Sequence, residues 1–256
     1  MRRETDSMGV VDVPDDRYWG AQTARALAHF PIATQRLRWP RAVIRAFGLV
    51  KHAAARANHA LGELPEPIAA AIAQAADEVA DGRLDEHFPL GVYQSGSGTQ
   101  THMNVNEVIA RRAGEILGGG VVVHPNDHVN RGQSTNDVFP TVMHLAIAAE
   151  LRATLLPALD ALCATLQAKA REHADLAKVG RTHLQDAAPI TLGQEIGAWA
   201  TQLAQARAAL DASVDALGEL ALGGTAVGTG LNAHPRLAAL CVRELAARTG
   251  LPLEAT

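Results

Sequence analysis

Apolar residues recur along most of the chain at spacings of three and four, the period of one helix face, in stretches bounded by proline and glycine. Val43, Ile44, Phe47, Leu49 and Val50 form the first stretch, opened by Pro40 and closed by Gly62, which predicts a helix across that span. A second helix is expected from about Glu66 to Ala80, and neither carries obvious chemistry. A third begins near Asn104 and stops at Gly118-Gly-Gly120, after which Val121-Val-Val123 reads as a short extended piece ahead of His124-Pro125.

Two longer stripes follow. Val138, Val142, Leu145, Leu151, Leu155, Leu159, Leu162 and Leu166 trace the first, and Pro157 within it predicts a kink or local break near Leu156. Ile196, Trp199, Leu203, Ala206, Leu210, Val214 and Leu217 trace the second, which starts after Pro189 and runs to Gly223-Gly224. Helices of this kind reach ~45 to 50 Å at 1.5 Å per residue. One short chain cannot cover that length, so partner helices are required, from the same chain or from neighbouring subunits. The predicted fold is mainly α: an N-terminal helical domain at 1–131, then at 132–256 the first long helices of a central bundle, an incomplete domain.

Composition supports this reading and narrows the function. Aromatics make up only 4% while alanine and leucine abound, which favours helices packed through small side chains over a sandwich or barrel. A net charge of −4 with scattered basic residues gives no footprint for nucleic acid. No apolar run approaches the ~18 residues of a membrane span, and the polar start Met1–Met8 does not read as a signal peptide. Cys163 and Cys241, isolated inside helical patterns, read as small buried hydrophobes of a reducing compartment. A cytoplasmic protein with neither nucleic-acid nor membrane partners is expected.

Three polar islands interrupt the helical pattern, each expected to end where a helix begins. Gln94-Ser-Gly-Ser-Gly-Thr-Gln-Thr-His-Met-Asn-Val-Asn106 holds hydroxyls and amides but no lysine, arginine, aspartate or glutamate. Neutral donors around two glycines, close to a helix N-terminus, suit a small anion, although for any one Ser-Gly-Thr an N-cap with a polar turn is the better explanation. His124-Pro-Asn-Asp-His-Val-Asn130 leads into Gln133-Ser-Thr-Asn-Asp137, and Gly180-Arg-Thr-His-Leu-Gln-Asp186 follows the first long stripe.

With these islands in place the chain resembles the class II fumarase branch of the fumarase/aspartase superfamily, from about Tyr18 to Thr256. Trp19-Gly-Ala-Gln-Thr23, Asp85-Glu-His-Phe-Pro-Leu90 and Ala221-Leu-Gly-Gly-Thr-Ala-Val-Gly-Thr-Gly-Leu-Asn232 extend the match in order. The resemblance implies a fumarate hydratase that adds water to fumarate in the anti sense to give (S)-malate, without a cofactor or metal. It also implies a homotetramer whose active sites each draw on three subunits. Ser97, Gly98 and Thr99, then Ser134, Thr135 and Asn136, would contact substrate together with Thr182. His183 would be catalytic, exchanging a proton with the reacting water as a group that titrates near neutrality can. The aspartase branch generally has glutamine there, so His183 favours a hydratase. His124, Pro125, Asn126 and Asp127 match a second, shallower dicarboxylate site, without the basic residue that often precedes it.

A metal site through His124 and His128 conflicts with Pro125, which blocks a regular i,i+4 arrangement. His102 departs from the asparagine more common in the family. The family's signature Gly-Ser-Ser loop, with the base and a lysine clamp, has no match in residues 1–256, so the chain resembles the N-terminal half. An inactive fragment or non-catalytic subunit of the same fold, and an aspartase-like ammonia-lyase, are the alternatives.

Overall fold

The expected helices form where the apolar periodicity placed them. In the computed structural model, which describes residues 1–256, α1 spans Ala21–His29, α2 Arg41–Ala60, α3 Glu66–Ala80, α4 Thr99–Ile116, α5 Thr135–Glu150, α6 Leu156–Glu172, α7 Leu192–Ala216 and α8 Leu237–Thr249. The expected mainly α architecture is thus present. Helix α4 starts earlier than expected because Gly98, at φ 79°, caps it in the left-handed region and the polar island itself makes the first turn. Val121–Val123 pairs with no strand.

The break ahead of Pro157 is a π-type turn at Leu151–Leu155, closed by Leu156 N–H to the Leu151 carbonyl. Proline supplies no N–H and its ring crowds the carbonyl a turn earlier, so the ladder widens there. The helical run continues through it from Thr135 to Glu172, and here one expectation needs correction. Its most apolar window has a mean hydropathy of 1.4, so by length and composition this helix could cross a membrane. No uninterrupted apolar run exists, but the small and apolar residues around Glu150 and Arg152 outweigh those charges in the average. A helix that packs its stripe on other helices meets the same criterion.

Strands were not expected, and three short pairs exist. β1 (Arg2–Asp6) and β2 (Gly9–Val13) form an antiparallel hairpin, β3 (Ala177–Thr182) and β4 (Gln185–Thr191) a second, and β5 (Glu219–Leu220) lies parallel to β6 (Glu254–Ala255). The third polar island is therefore a hairpin, and strand β4 intervenes before the following helix. A bulge between Gly180 and Arg181 shifts its register, and a Cβ at Gly180 would lie 2.8 Å from the Ala188 carbonyl oxygen, closer than a side chain tolerates.

The chain divides into two compact units, Met1–Ile147 with Gly218–Thr256, and Ala148–Leu217. This partition differs from a boundary at 131/132 because α8 returns to pack on α2, and Arg248 Nη1 meets His52 Nε2 of α2 at 3.0 Å while Nη2 reaches Asp77 Oδ1 of α3 at 2.6 Å. In the first unit α2, α3, α4, α5 and α8 contribute the buried side chains Phe47, Ile72, Ile109, Leu145, Leu237 and Leu245. The buried Glu107 carboxylate on α4 caps α1, accepting from the N–H groups of Gly20, Gln22 and Thr23 at 2.8, 2.7 and 3.1 Å. Burial raises the Glu107 pKa, and these donors oppose the rise.

In the second unit α6 and α7 run antiparallel, as the pairs Arg207–Asp160 at 2.9 Å and Arg152–Asp215 at 3.8 Å require. Thr191 opens α7 with a capping box, its hydroxyl accepting from Gln194 N–H at 3.1 Å while Gln194 accepts from Thr191 N–H at 2.9 Å. α7 ends at Ala216, before the expected Gly223-Gly224.

Candidate active site

The N-termini of α4 and α5 meet in the first unit, and each carries one of the expected donor rows. Ser97 and Thr99 share a hydrogen bond at 2.9 Å, and Ser95 Oγ donates to Gln100 Oε1 at 2.8 Å. Ser97 and Thr99 are exposed, whereas Gly98 between them is buried against Phe139 of α5. A Cβ at Gly98 would overlap the Phe139 ring, so this glycine is needed both for its positive φ and for the close approach of the two helices.

On α5, Ser134 is the N-cap. Its Oγ accepts from Asn136 N–H at 3.2 Å, and its own N–H donates to Asp137 Oδ1 at 2.9 Å. The cap reading and the ligand reading coexist here, because Ser134, Thr135 and Asn136 remain partly or fully accessible. Asp137 is buried, and its second oxygen accepts from Gly223 N–H at 2.9 Å and Thr225 N–H at 3.0 Å. Asn136 Nδ2 donates to the Ala226 carbonyl at 2.8 Å. The glycine-rich segment 221–232 is thereby pinned beside the α5 N-terminus.

Behind both rows lies a buried polar cluster that the sequence reading passed over. His102 stacks on Phe47 and places Nδ1 2.8 Å from Thr135 Oγ1 and Nε2 2.7 Å from Lys51 Nζ. Lys51 also reaches Asn130 Oδ1 at 3.0 Å and Gln133 Oε1 at 2.9 Å. Burial pushes the Lys51 pKa well below the usual lysine range, against the attraction of Asp137. Burial and then the lysine charge push His102 well below an ordinary imidazole, so it is neutral near pH 7. The signal available was a lone lysine among apolar neighbours in an alanine-rich helix, a residue type almost never buried unless paired.

The remaining expected residues belong to other segments of the chain. Thr182 and His183 belong to the second unit, at the turn between β3 and β4. His183 and Leu184 both adopt positive φ, 49° and 63°, and Leu184 is 92% exposed. Two non-glycine residues in the left-handed region make a strained tip, a feature that concentrates at functional sites. His124 caps the π-type turn Pro125–Val129, its Nδ1 accepting from Asn126 and Asp127 N–H at 3.2 and 3.1 Å. Those donors are satisfied within the segment. A cavity of about 670 Å³ opens beside His124, Pro125 and Asn126, lined by Glu4, Asp6, Glu107 and Glu115 against the single cation Arg111. Its field opposes a dianion, so the donor rows are the better candidate.

The donor rows and the strained histidine tip can be set beside known proteins. Residues 9–256 match the lyase family. The chain belongs to that family. It is 61% identical to class II fumarate hydratase of Thermus aquaticus over 98% of this chain and 54% of that protein. Against class II fumarate hydratase 1 of Pseudomonas aeruginosa it is 57% identical, over 99% of this chain and 55% of the other. A crystal structure of recombinant class II fumarase from Schistosoma mansoni superposes with a TM-score of 0.92 at 43% identity, covering 97% of this chain and 53% of that one. The chain therefore spans about half the length of these lyase-family relatives.

Proposed function

We propose that this chain supplies substrate-binding and proton-transfer residues of a fumarate hydratase. The observation that carries the reading is the meeting of two helix N-termini lined by uncharged donors, bridged by His102 Nδ1 and Thr135 Oγ1 at 2.8 Å. Dehydration of malate removes a proton beside a carboxylate, and the second negative charge that develops on that carboxylate needs preorganised donors. Ser97, Gly98, Thr99, Ser134, Thr135 and Asn136 fill this role, and both helix dipoles add to it. His183, with Thr182 beside it, exchanges a proton with the reacting water. His124–Asp127 serves as a secondary dicarboxylate contact.

The chemistry needs no cofactor. The protein works in the cytoplasm within the tricarboxylic acid cycle. It is a homotetramer in which the His183 hairpin of one subunit completes the donor rows of another, with 1–131 and 132–256 as its evolutionary domains. The partly exposed Leu155, Leu162 and Trp199, at 41%, 46% and 49%, support association through the second unit.

The test recombines this chain with the complementary remainder of the Thermus aquaticus fumarate hydratase and follows fumarate and malate. Reversible hydration is expected, with little or none from the 256-residue chain by itself. His183→Asn should lower kcat by ~10² to 10⁴, whereas Thr99→Ala should act through both binding and transition-state stabilisation and so change KM as well as kcat. A folded recombined protein that leaves fumarate untouched, or that releases ammonia from aspartate instead, would refute the reading.

A further inference from the structure

Lys51 sits in the middle of α2 with its side-chain nitrogen fully buried. Burial favours the neutral amine, so the third proton is retained only where all three N–H groups meet acceptors. The orientation of two of those acceptors is fixed: Asn130 Nδ2 donates to the Gln133 carbonyl at 3.3 Å, and Gln133 Nε2 to the Val129 and Arg131 carbonyls at 3.2 Å. Both amide oxygens therefore face the lysine and accept from it, and the third ammonium proton points at His102 Nε2. An imidazole that accepts at Nε2 carries its proton on Nδ1. Nδ1–H then donates to Thr135 Oγ1, and the threonine's own hydroxyl hydrogen is left to turn outward.

We propose that Lys51 is a positioning residue which, through the neutral His102 imidazole, fixes the Thr135 hydroxyl as a donor to the bound carboxylate. The identity of that ligand rests on the fumarate reading; the direction of the hydrogen bonds is a property of this chain. Loss of one proton from Lys51 reverses the order. The amine lone pair then accepts from Nε2–H, the bare Nδ1 takes the threonine hydrogen, and the donor is withdrawn from the ligand. Two other ionisable groups act on the lysine, Asp137 of α5 and Cys241 of α8. The Asp137 carboxylate accepts from three backbone N–H groups, and burial holds the Cys241 thiol up at about 12, so the titration that matters is that of Lys51.

Two measurements decide the matter. Solid-state NMR of the full chain labelled with ¹⁵N-histidine, with His102→Asn identifying the His102 signals by difference, should show the Nδ1–H tautomer near neutral pH. An Nε2–H tautomer overturns the proposal whatever the activity. In the recombined protein, Thr135→Val and Lys51→Met should each lower kcat/KM by about 10²-fold, and the double variant should be no worse than either single one. His102→Asn retains one acceptor and one donor and should keep most of the activity, whereas His102→Leu should match Lys51→Met. Losses that multiply in the double variant mean the lysine does not act through Thr135. Complete absence of fumarate hydration in the unmutated recombined protein refutes the functional reading alone, since the tautomer is still measured.

Discussion

The two units meet the demand to bury apolar surface in opposite ways. The first closes its core, and within it Lys51, His102 and Asp137 are buried with their hydrogen bonds made. The second buries little: along α6 and α7 only Leu156, Cys163, Gly193, Ile196, Ala200 and Val214 are covered, and its hairpin presents His183 and Leu184 to solvent. A closed core can hold donors at fixed positions without a ligand, whereas an open helix pair gains its shape from what it packs against. Fixed hydrogen-bond donors thus reside in one unit and a presented histidine in the other.

Asp137→Ala attacks the first side of this comparison. The substitution leaves the Ser134, Gly223 and Thr225 N–H groups without their acceptor and should cost about 3 to 5 kcal/mol, in the range of breaking a buried charged network. Urea unfolding followed by circular dichroism checks it. An unchanged midpoint would mean that segment 221–232 is held by something other than this carboxylate.

Leu162→Ser with Trp199→Ser addresses the second side. Burying these half-exposed side chains against neighbouring helices is worth roughly 1.5 kcal/mol each, so their loss should weaken association by about 10²-fold. Sedimentation velocity should show the parent chain associating and the variant dissociating at matched concentration. If the parent chain is already a stable monomer, the open helix pair needs no partner.

Acid should act on the first unit through its buried histidines. Burial lowers the pKa of His52, His87 and His102 from 6.5, so each stays neutral in the fold while the unfolded chain takes up a proton. Their contribution is complete above about pH 6.5 and is lost as pH falls through the lowered folded values, most for the fully buried His102 and less for His52 and His87, which solvent partly screens. Glu107, raised by burial, works in the opposite sense at lower pH. Thermal melts recorded from neutral to mildly acid pH should show the midpoint falling, and a flat profile would contradict the buried neutral assignment.

The helices were legible because their apolar positions repeat with a definite period, and the donor rows because Ser-Gly-Ser-Gly-Thr and Ser-Thr-Asn-Asp concentrate neutral polar groups without charge. Lys51 was not, because its meaning comes from Asn130 and Gln133, 79 and 82 positions away. His102 stood out only as a departure from the family's asparagine, and its role as the link between Lys51 and Thr135 required three helices to be in place. The β3–β4 hairpin escaped because its tip, Thr182-His-Leu-Gln185, holds neither the Asn-Gly nor the Gly pair that marks a two-residue turn, and β4 contains Pro189, a residue that weakens a strand pattern.

That missing turn signal yields the smallest expected effect and the finest test of the contrast between units. Leu184 holds φ 63° with its side chain almost wholly in water, so it gains little from burial to offset a left-handed backbone. Leu184→Gly removes the Cβ conflict and should stabilise the hairpin by about 1 kcal/mol, less whatever extra freedom glycine gives the unfolded chain. Hydrogen exchange at the β3–β4 amides reads this locally, where a global melt would be dominated by the larger core. Slower exchange together with a lower kcat in the recombined protein would show that the strain at the tip aims His183, since relaxing the turn then disturbs the chemistry while strengthening the strands. Slower exchange with kcat unchanged would make Leu184 a tolerated misfit, and faster exchange would mean that its side chain supports the turn in a way its exposure conceals.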